Sequence, residues 1–219
     1  SLEIEGNKLT QEQVTAILDG NRVVGPQKDI LEAKNAIALY DQAGTFNVLS
    51  EKSFCKAHSV MMKGLVKNPG RWRTGNIGVV EGSKVKHVAP KPNMVTGLVS
   101  NLFEFMKKED KKKYLIASCV FHYELEFIHP FEDGNGRMGR FWQHLILTKY
   151  HPLFEYVPIE SVIRDNQKKY YSALGKADSS GESTVFIEFC LEAILNSLSE
   201  FLDDLKPEPL TTDSRLENA

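Results

Sequence analysis

The chain has 219 residues, enough for one large domain, or for one domain with a small appendage. Its 27 basic and 29 acidic side chains leave a formal charge of −2, which argues against a dedicated nucleic-acid or anionic-membrane binder. Hydrophobic residues make up 42% and charged residues 26%, the balance of a globular domain with a sizeable core, and no apolar run approaches the ~18 residues of a transmembrane helix.

The N-terminus reads Ser1-Leu2-Glu3-Ile4-Glu5-Gly6. It has no basic n-region and no apolar h-region, so no signal peptide is expected in this stretch and a cytoplasmic location is. The first residue is not Met, as in a processed chain or an excised fragment. Thr10 to Gln13 fits a capping box, with Val14, Ile17 and Leu18 following at helical spacing and Gly20 closing the segment. Pro26 opens a second helix over 27–43, with Ile30, Ala33, Ile37 and Tyr40 on one face. A third is expected over 50–67, with Phe54, Ala57, Met61 and Leu65 inward.

The stretch 69–90 breaks this rhythm. It holds four glycines, Gly70, Gly75, Gly78 and Gly82, and two short β-branched runs. Glu81-Gly82-Ser83-Lys84 reads as the turn of a small β-hairpin. Helices resume over 92–107, 112–127, 136–150, 164–176 and 183–205. The residues 206–219 carry two prolines and no core signal and are expected to be a polar tail or linker. The pattern is therefore mainly α, with one hairpin. Cys55, Cys119 and Cys190 are far apart and form no C-x-x-C pair, so neither a zinc site nor a disulfide framework is expected.

Chemistry concentrates in His129-Pro130-Phe131-Glu132-Asp133-Gly134-Asn135-Gly136-Arg137-Met138-Gly139-Arg140. The Gly134-Asn135-Gly136 loop opens a helix, so it can aim several main-chain N–H groups at one anion, and the helix dipole adds partial positive charge there. Arg137 and Arg140 are three apart and share a face near that N-terminus, an end where cations are ordinarily disfavoured. Two of them beside such a loop imply an anion, with phosphate the natural candidate. Asp133 brings one carboxylate, which suits Mg²⁺ held jointly with phosphate oxygens. His129 has an imidazole able to accept a proton near neutrality. Together these residues describe transfer of a phosphate-containing group. No G-x-S-x-G, H-E-x-x-H or P-loop pattern competes with that reading.

The segment resembles the signature of the Fic family, H-x-F-x-[D/E]-G-N-G-R-x-x-R, at every specified position; a chance match at one site is on the order of 10⁻¹⁰. The likeness extends to the helix before the motif (His122 to Pro130), to Arg73 with the hairpin called the flap, and to Tyr170-Tyr171-Ser172-Ala173-Leu174. It implies a Fic-type helical bundle over residues 9–205, with the flap at about 75–89. It implies a protein adenylyltransferase that uses ATP and Mg²⁺. His129 would be the general base for a target Ser, Thr or Tyr hydroxyl, and Asp133 the metal carboxylate. Gly134, Asn135 and Gly136 would hold phosphate oxygens through their backbone and through the Asn135 side chain. Arg137 would contact the β-side phosphates, Arg140 would reach the γ-phosphate, and Phe131 would anchor the loop in the core.

Ser1, Glu5 and Gly6 resemble the inhibitory motif [S/T]-x-x-x-E-[G/N] of the class with an N-terminal inhibitory helix, here residues 1–8. In that class the Glu pairs with the second motif Arg and denies it to the γ-phosphate. A target protein would dock along the flap edge by strand pairing. Two alternatives stay open at this stage: a de-AMPylase that uses Glu5 to position water, and a nucleotide-binding regulatory module without catalysis.

Overall fold

In the computed structural model, residues 1–81 and 84–205 are described, with 79–81 and 84–87 described by their main chain only. The expected turn at Gly82-Ser83 and the expected tail 206–219 lie outside the described residues. The order is α1 (Gln11–Leu18), α2 (Gln27–Asp41), α3 (Glu51–Met61), β1 (Gly78–Glu81), β2 (Lys84–Val88), α4 (Pro92–Lys108), α5 (Tyr114–Ile128), α6 (Asn135–Tyr150), α7 (Ile159–Asp165), α8 (Gln167–Ser180) and α9 (Thr184–Asp204). The chain is mainly helical. β1 and β2 pair antiparallel.

Local chemistry sets several of these boundaries. The Thr10 hydroxyl accepts from the Gln13 N–H while the Gln13 side chain accepts from the Thr10 N–H, so the capping box starts α1 as expected. Two boundaries differ from expectation. The third helix stops at Met61 rather than near residue 67, because Asn35 on α2 donates its amide to the carbonyls of Met61 and Lys63, at 3.0 and 2.8 Å, and so captures the helix end. The helix expected over 164–176 is α8, which starts at Gln167, and the short α7 before it was not expected. Asn166 stands between them with φ −112° and ψ 29°, and its side chain donates back to the Val162 carbonyl.

α5 and α6 pack together at the centre. On one side they meet α3 and α4 around an aromatic cluster in which Trp142, Phe54, Phe103, Phe121 and Phe131 are fully buried. On the other they meet α7 to α9 through a second cluster around Tyr170, Phe186 and Cys190. Each buried aromatic is worth roughly 1.5–3 kcal/mol of apolar burial. The loop joining α5 to α6 is thus fixed from both flanks. All three cysteines are free, Cys119 and Cys190 buried and Cys55 only partly so. Among the described residues, no helix is long and apolar enough to cross a membrane.

Candidate active site

The α5–α6 loop begins with a conformational demand. His129 closes α5 in the left-handed region, φ 48° and ψ 59°, the one non-glycine residue with positive φ among those described. A side chain there is uncommon and needs outside support. Support comes from Arg73, whose Nε donates to the His129 carbonyl at 2.7 Å. The His129 Nδ1 lies 3.4 Å from the Glu126 carbonyl. A proton on Nδ1 facing that oxygen leaves Nε2 as the nitrogen with the lone pair.

Phe131 follows, fully buried, stacked on His58 with ring centroids 3.6 Å apart and an interplanar angle of 7°. His58 is itself a fixture of the loop. Its Nδ1 accepts from the Gly70 N–H at 2.7 Å and its Nε2 meets the Asp133 carbonyl at 2.9 Å, so Nε2 carries the proton. Sequence reading had not singled out His58.

Gly134 turns the chain into α6 with φ 84°, and a Cβ there would come within 2.7 Å of the Met62 sulfur. Only glycine meets both conditions. α6 starts with no side-chain cap, so its first N–H groups are left for an anion. The Asn135 side chain is engaged within the loop. Its Oδ1 accepts from the Phe131 N–H at 2.9 Å and its Nδ2 donates to the Phe131 carbonyl at 3.0 Å, which closes the loop on itself.

Arg137 is buried. Its Nη1 pairs with Glu32 of α2 at 3.2 Å, its Nη2 lies 3.6 Å from Asp133, and its Nε has no hydrogen-bond partner. Glu32 was not legible as a site residue. It also accepts from Asn7 at 2.9 Å, which ties the N-terminal segment to α2. Arg140 is buried too. Its Nε donates to the Ser1 hydroxyl at 3.0 Å and its Nη2 to Glu5 at 2.5 Å. Burial works against this cation, but the Tyr170 oxygen, Glu5 and Glu160 together hold its pKa above the ordinary arginine range.

The N-terminal segment that meets Arg140 is a single 3-10 turn, Glu3–Glu5, ended by Gly6 in the left-handed region at φ 83°. Ile4 anchors it in the second core cluster, and Gln167 of α8 donates to the Ile4 carbonyl at 2.8 Å. The Glu5 carboxylate also borders the loop: a Cβ on Gly136 would sit 2.8 Å from its oxygen. A carboxylate of the chain itself therefore stands beside the uncapped start of α6.

Asp133 is half-exposed, and its Oδ1 accepts from the Gly134 N–H at 2.6 Å. Among the described residues no three His, Cys, Asp or Glu side chains gather around a point that could hold a metal. One carboxylate beside an anion site fits Mg²⁺, which takes one or two carboxylates and completes its shell with phosphate oxygens and water.

Beneath the loop, Glu126 is part-buried, and its Oε1 is buried with no hydrogen-bond partner. Burial pushes its carboxyl up to about 7, opposed by Arg140 and aided by Glu5. Burial likewise pulls His58 and His122 down to about 4. These shifts give opposite linkages. The unfolded chain protonates the two histidines below about pH 6.5 and the folded chain does not until about 4, so stability falls as pH drops through that window. The folded chain keeps the Glu126 proton where the unfolded chain has lost it, so that stabilisation is present below about 4.5 and is lost as pH rises through about 7. Glu126→Gln removes only the second effect. Its unfolding free energy is expected to fall more steeply than wild type between pH 6.5 and 4.5, by about 1.4 kcal/mol per pH unit, the weight of one proton. Urea melts across that range measure the two slopes; equal slopes would mean Glu126 is ionised throughout.

The sequence pattern of the Fic/DOC family matches residues 48–147. An Aquifex aeolicus protein named "probable protein adenylyltransferase" is 30% identical over 180 residues, covering 81% of this chain and 53% of its own length. The protein adenylyltransferase fic-1 of Caenorhabditis elegans is 25% identical over 218 residues, covering 94% of this chain and 41% of its own. The chain thus spans about half the length of the curated relatives it matches. A crystal structure of a Fic family protein from Desulfovibrio desulfuricans has a TM-score of 0.87 at 45% identity, covering 93% of this chain and 62% of that one. A Fic domain protein from Bacteroides thetaiotaomicron shares the fold at TM-score 0.75 and 20% identity, over 90% of this chain and 81% of that one. With the motif, the fold and these likenesses in agreement, the chain belongs to the Fic/DOC family.

Proposed function

We propose that the chain is an autoinhibited protein adenylyltransferase, which moves AMP from ATP to a Ser, Thr or Tyr hydroxyl of a target protein and releases pyrophosphate. The observation that carries this reading is the Glu5 carboxylate held by Arg140 beside Gly136, an acid of the chain itself at the edge of a phosphate-type site.

The chemistry is divided among few residues. His129 Nε2 takes the proton of the target hydroxyl, whose oxygen bonds to the α-phosphorus as the bond from that phosphorus to the pyrophosphate oxygen breaks. The main-chain N–H groups at the start of α6 and the Arg137 guanidinium face the developing charge, and because they are already oriented they need no reorganisation when it appears. Asp133 would hold Mg²⁺, which neutralises charge on the departing phosphates. Arg140, once released from Glu5, would clamp the γ-phosphate and so fix the α-phosphorus for attack. The β1–β2 pair would align an extended target segment.

Glu5→Gly protein incubated with Mg²⁺ and each nucleoside triphosphate tests this by intact mass. The expected result is an increment of one AMP with ATP. Nucleotide binding without any increment would favour a non-catalytic module. Asp133→Asn in the same background is expected to raise the Mg²⁺ concentration for half-maximal labelling by about tenfold or more, because a charged ligand to a hard dication becomes neutral. An unchanged Mg²⁺ titration would put the metal on other residues.

A further inference from the structure

Arg73 lies in the segment between α3 and β1 and is 5% exposed. Among the described residues, every bond from its guanidinium goes to a main-chain carbonyl. Two of these oxygens belong to the end of α5: Nε donates to His129 at 2.7 Å and Nη2 to Ile128 at 3.2 Å. Two belong to the feet of the strand pair: Nη1 donates to Gly75 at 2.9 Å, before β1, and Nη2 to Pro90 at 2.6 Å, after β2. The Arg73 N–H adds a bond to the Pro130 carbonyl at 2.9 Å, and Ala89 donates to Ile77 at 3.2 Å to close the pair at its base.

This is an unusual way to bury a cation. The last carbonyls of a helix lack partners within the helix and carry partial negative charge, so α5 supplies part of the compensation. The hairpin feet supply the rest. Each of the two groups needs the same guanidinium. A lysine ammonium is a point donor and cannot span oxygens on both sides of a planar fork.

We infer that Arg73 is a positioning residue that joins the flap to the catalytic histidine, so that the target hydroxyl presented by the flap is set in register with His129. The inference rests on the adenylyl-transfer reading for its consequence, and on geometry alone for the joint itself. His129 needs support to hold its left-handed backbone, and the flap feet need a fixed distance from it. One side chain meets both needs. The bonds of the Arg73 guanidinium all go to main-chain carbonyls of these two elements, so Arg73 acts through them.

The test has two readouts. The first is hydrogen exchange of Arg73→Lys against wild type, without nucleotide. Protection is expected to fall together in peptides covering 75–90 and 126–134, while α9 is unchanged. A change at only one of the two segments, or at neither, overturns the joint whatever the enzyme's activity. The second is self-labelling of Glu5→Gly protein with ATP and Mg²⁺, with and without Arg73→Lys. The labelling rate is expected to drop about 10- to 100-fold, with ATP affinity within about threefold, because the residues of the phosphate loop are untouched. The labelled hydroxyls, mapped by peptide mass, are expected to become more numerous as register is lost. Parallel loss of rate and ATP affinity with an unchanged labelling map would mean plain destabilisation and would overturn the coupling. If the Glu5→Gly parent itself takes no label, the transfer reading fails, and the exchange experiment still decides the joint. Arg73→Ala, if it folds, is expected to repeat both results in stronger form.

Discussion

Replacing His129 by Ala in the Glu5→Gly background is expected to reduce AMP transfer by about 10²–10⁴-fold, the usual loss when general-base help is removed, while ATP still binds. The groups proposed to hold phosphate sit on α6 and its preceding loop, from Gly134 to Arg140, and none is contributed by the His129 ring. Binding and chemistry therefore come apart in this variant. The backbone at position 129 complicates a bare alanine test, since φ is 48° there and a lost side chain could let the loop relax. His129→Asn addresses this. Asparagine tolerates the left-handed region and stays uncharged and non-basic at neutral pH. Both variants are expected to be equally poor at transfer and close to the parent in ATP affinity. Labelling at the parent's rate by either variant would remove His129 from the chemistry. Loss of ATP binding in Ala but not in Asn would show that the loop, rather than the proton transfer, had been broken.

What the sequence made legible follows from how local each feature is. The capping box at Thr10 and Gln13 closes within four residues and was readable as such. So was the twelve-residue motif, whose residues meet around one loop. The end of α3 was not, because the group that terminates it is Asn35, on another helix. Helix α7 was missed for a different reason: its seven residues, Ile159 to Asp165, are too few to show a helical period of their own. In the site, the residues missed are partners rather than actors. Glu32 pairs with Arg137 from 105 positions away, and His58 reaches the Asp133 carbonyl from 75. Nothing in the spacing of a lone Glu or His on an amphipathic helix announces such a partner. Asn135 shows the converse. Its place in the motif was plain, but its side chain shapes the loop through Phe131.

The N-terminal turn carries the second large expectation. Glu5→Gly is expected to raise self- or target-labelling by about 5- to 150-fold, the range of a coupling worth roughly 1–3 kcal/mol. Glu5 occupies Nη2 of Arg140 and Ser1 occupies its Nε, so two of the donors that would grip a γ-phosphate are already engaged. Removing the carboxylate frees the guanidinium and clears the edge of Gly136. Arg140→Ala breaks the same pair, yet it also deletes the proposed γ-phosphate ligand. It is expected not to activate, and to block the gain from Glu5→Gly in the double variant. A contact that only stabilised the fold would behave otherwise, since either truncation would lower stability and activity alike. Arg140 is deeply buried and faces Glu126 and Glu160 as well, so its removal has a structural cost that must be measured separately. The melting temperature of Arg140→Ala reports that cost, and Arg140→Lys, which keeps the charge without the fork, separates loss of charge from loss of the fork. Labelling rates for the two single variants and the double variant then decide the question. An unchanged rate in Glu5→Gly, or a double variant as active as Glu5→Gly, would mean that the Glu5–Arg140 pair holds the turn in place and does not govern the nucleotide.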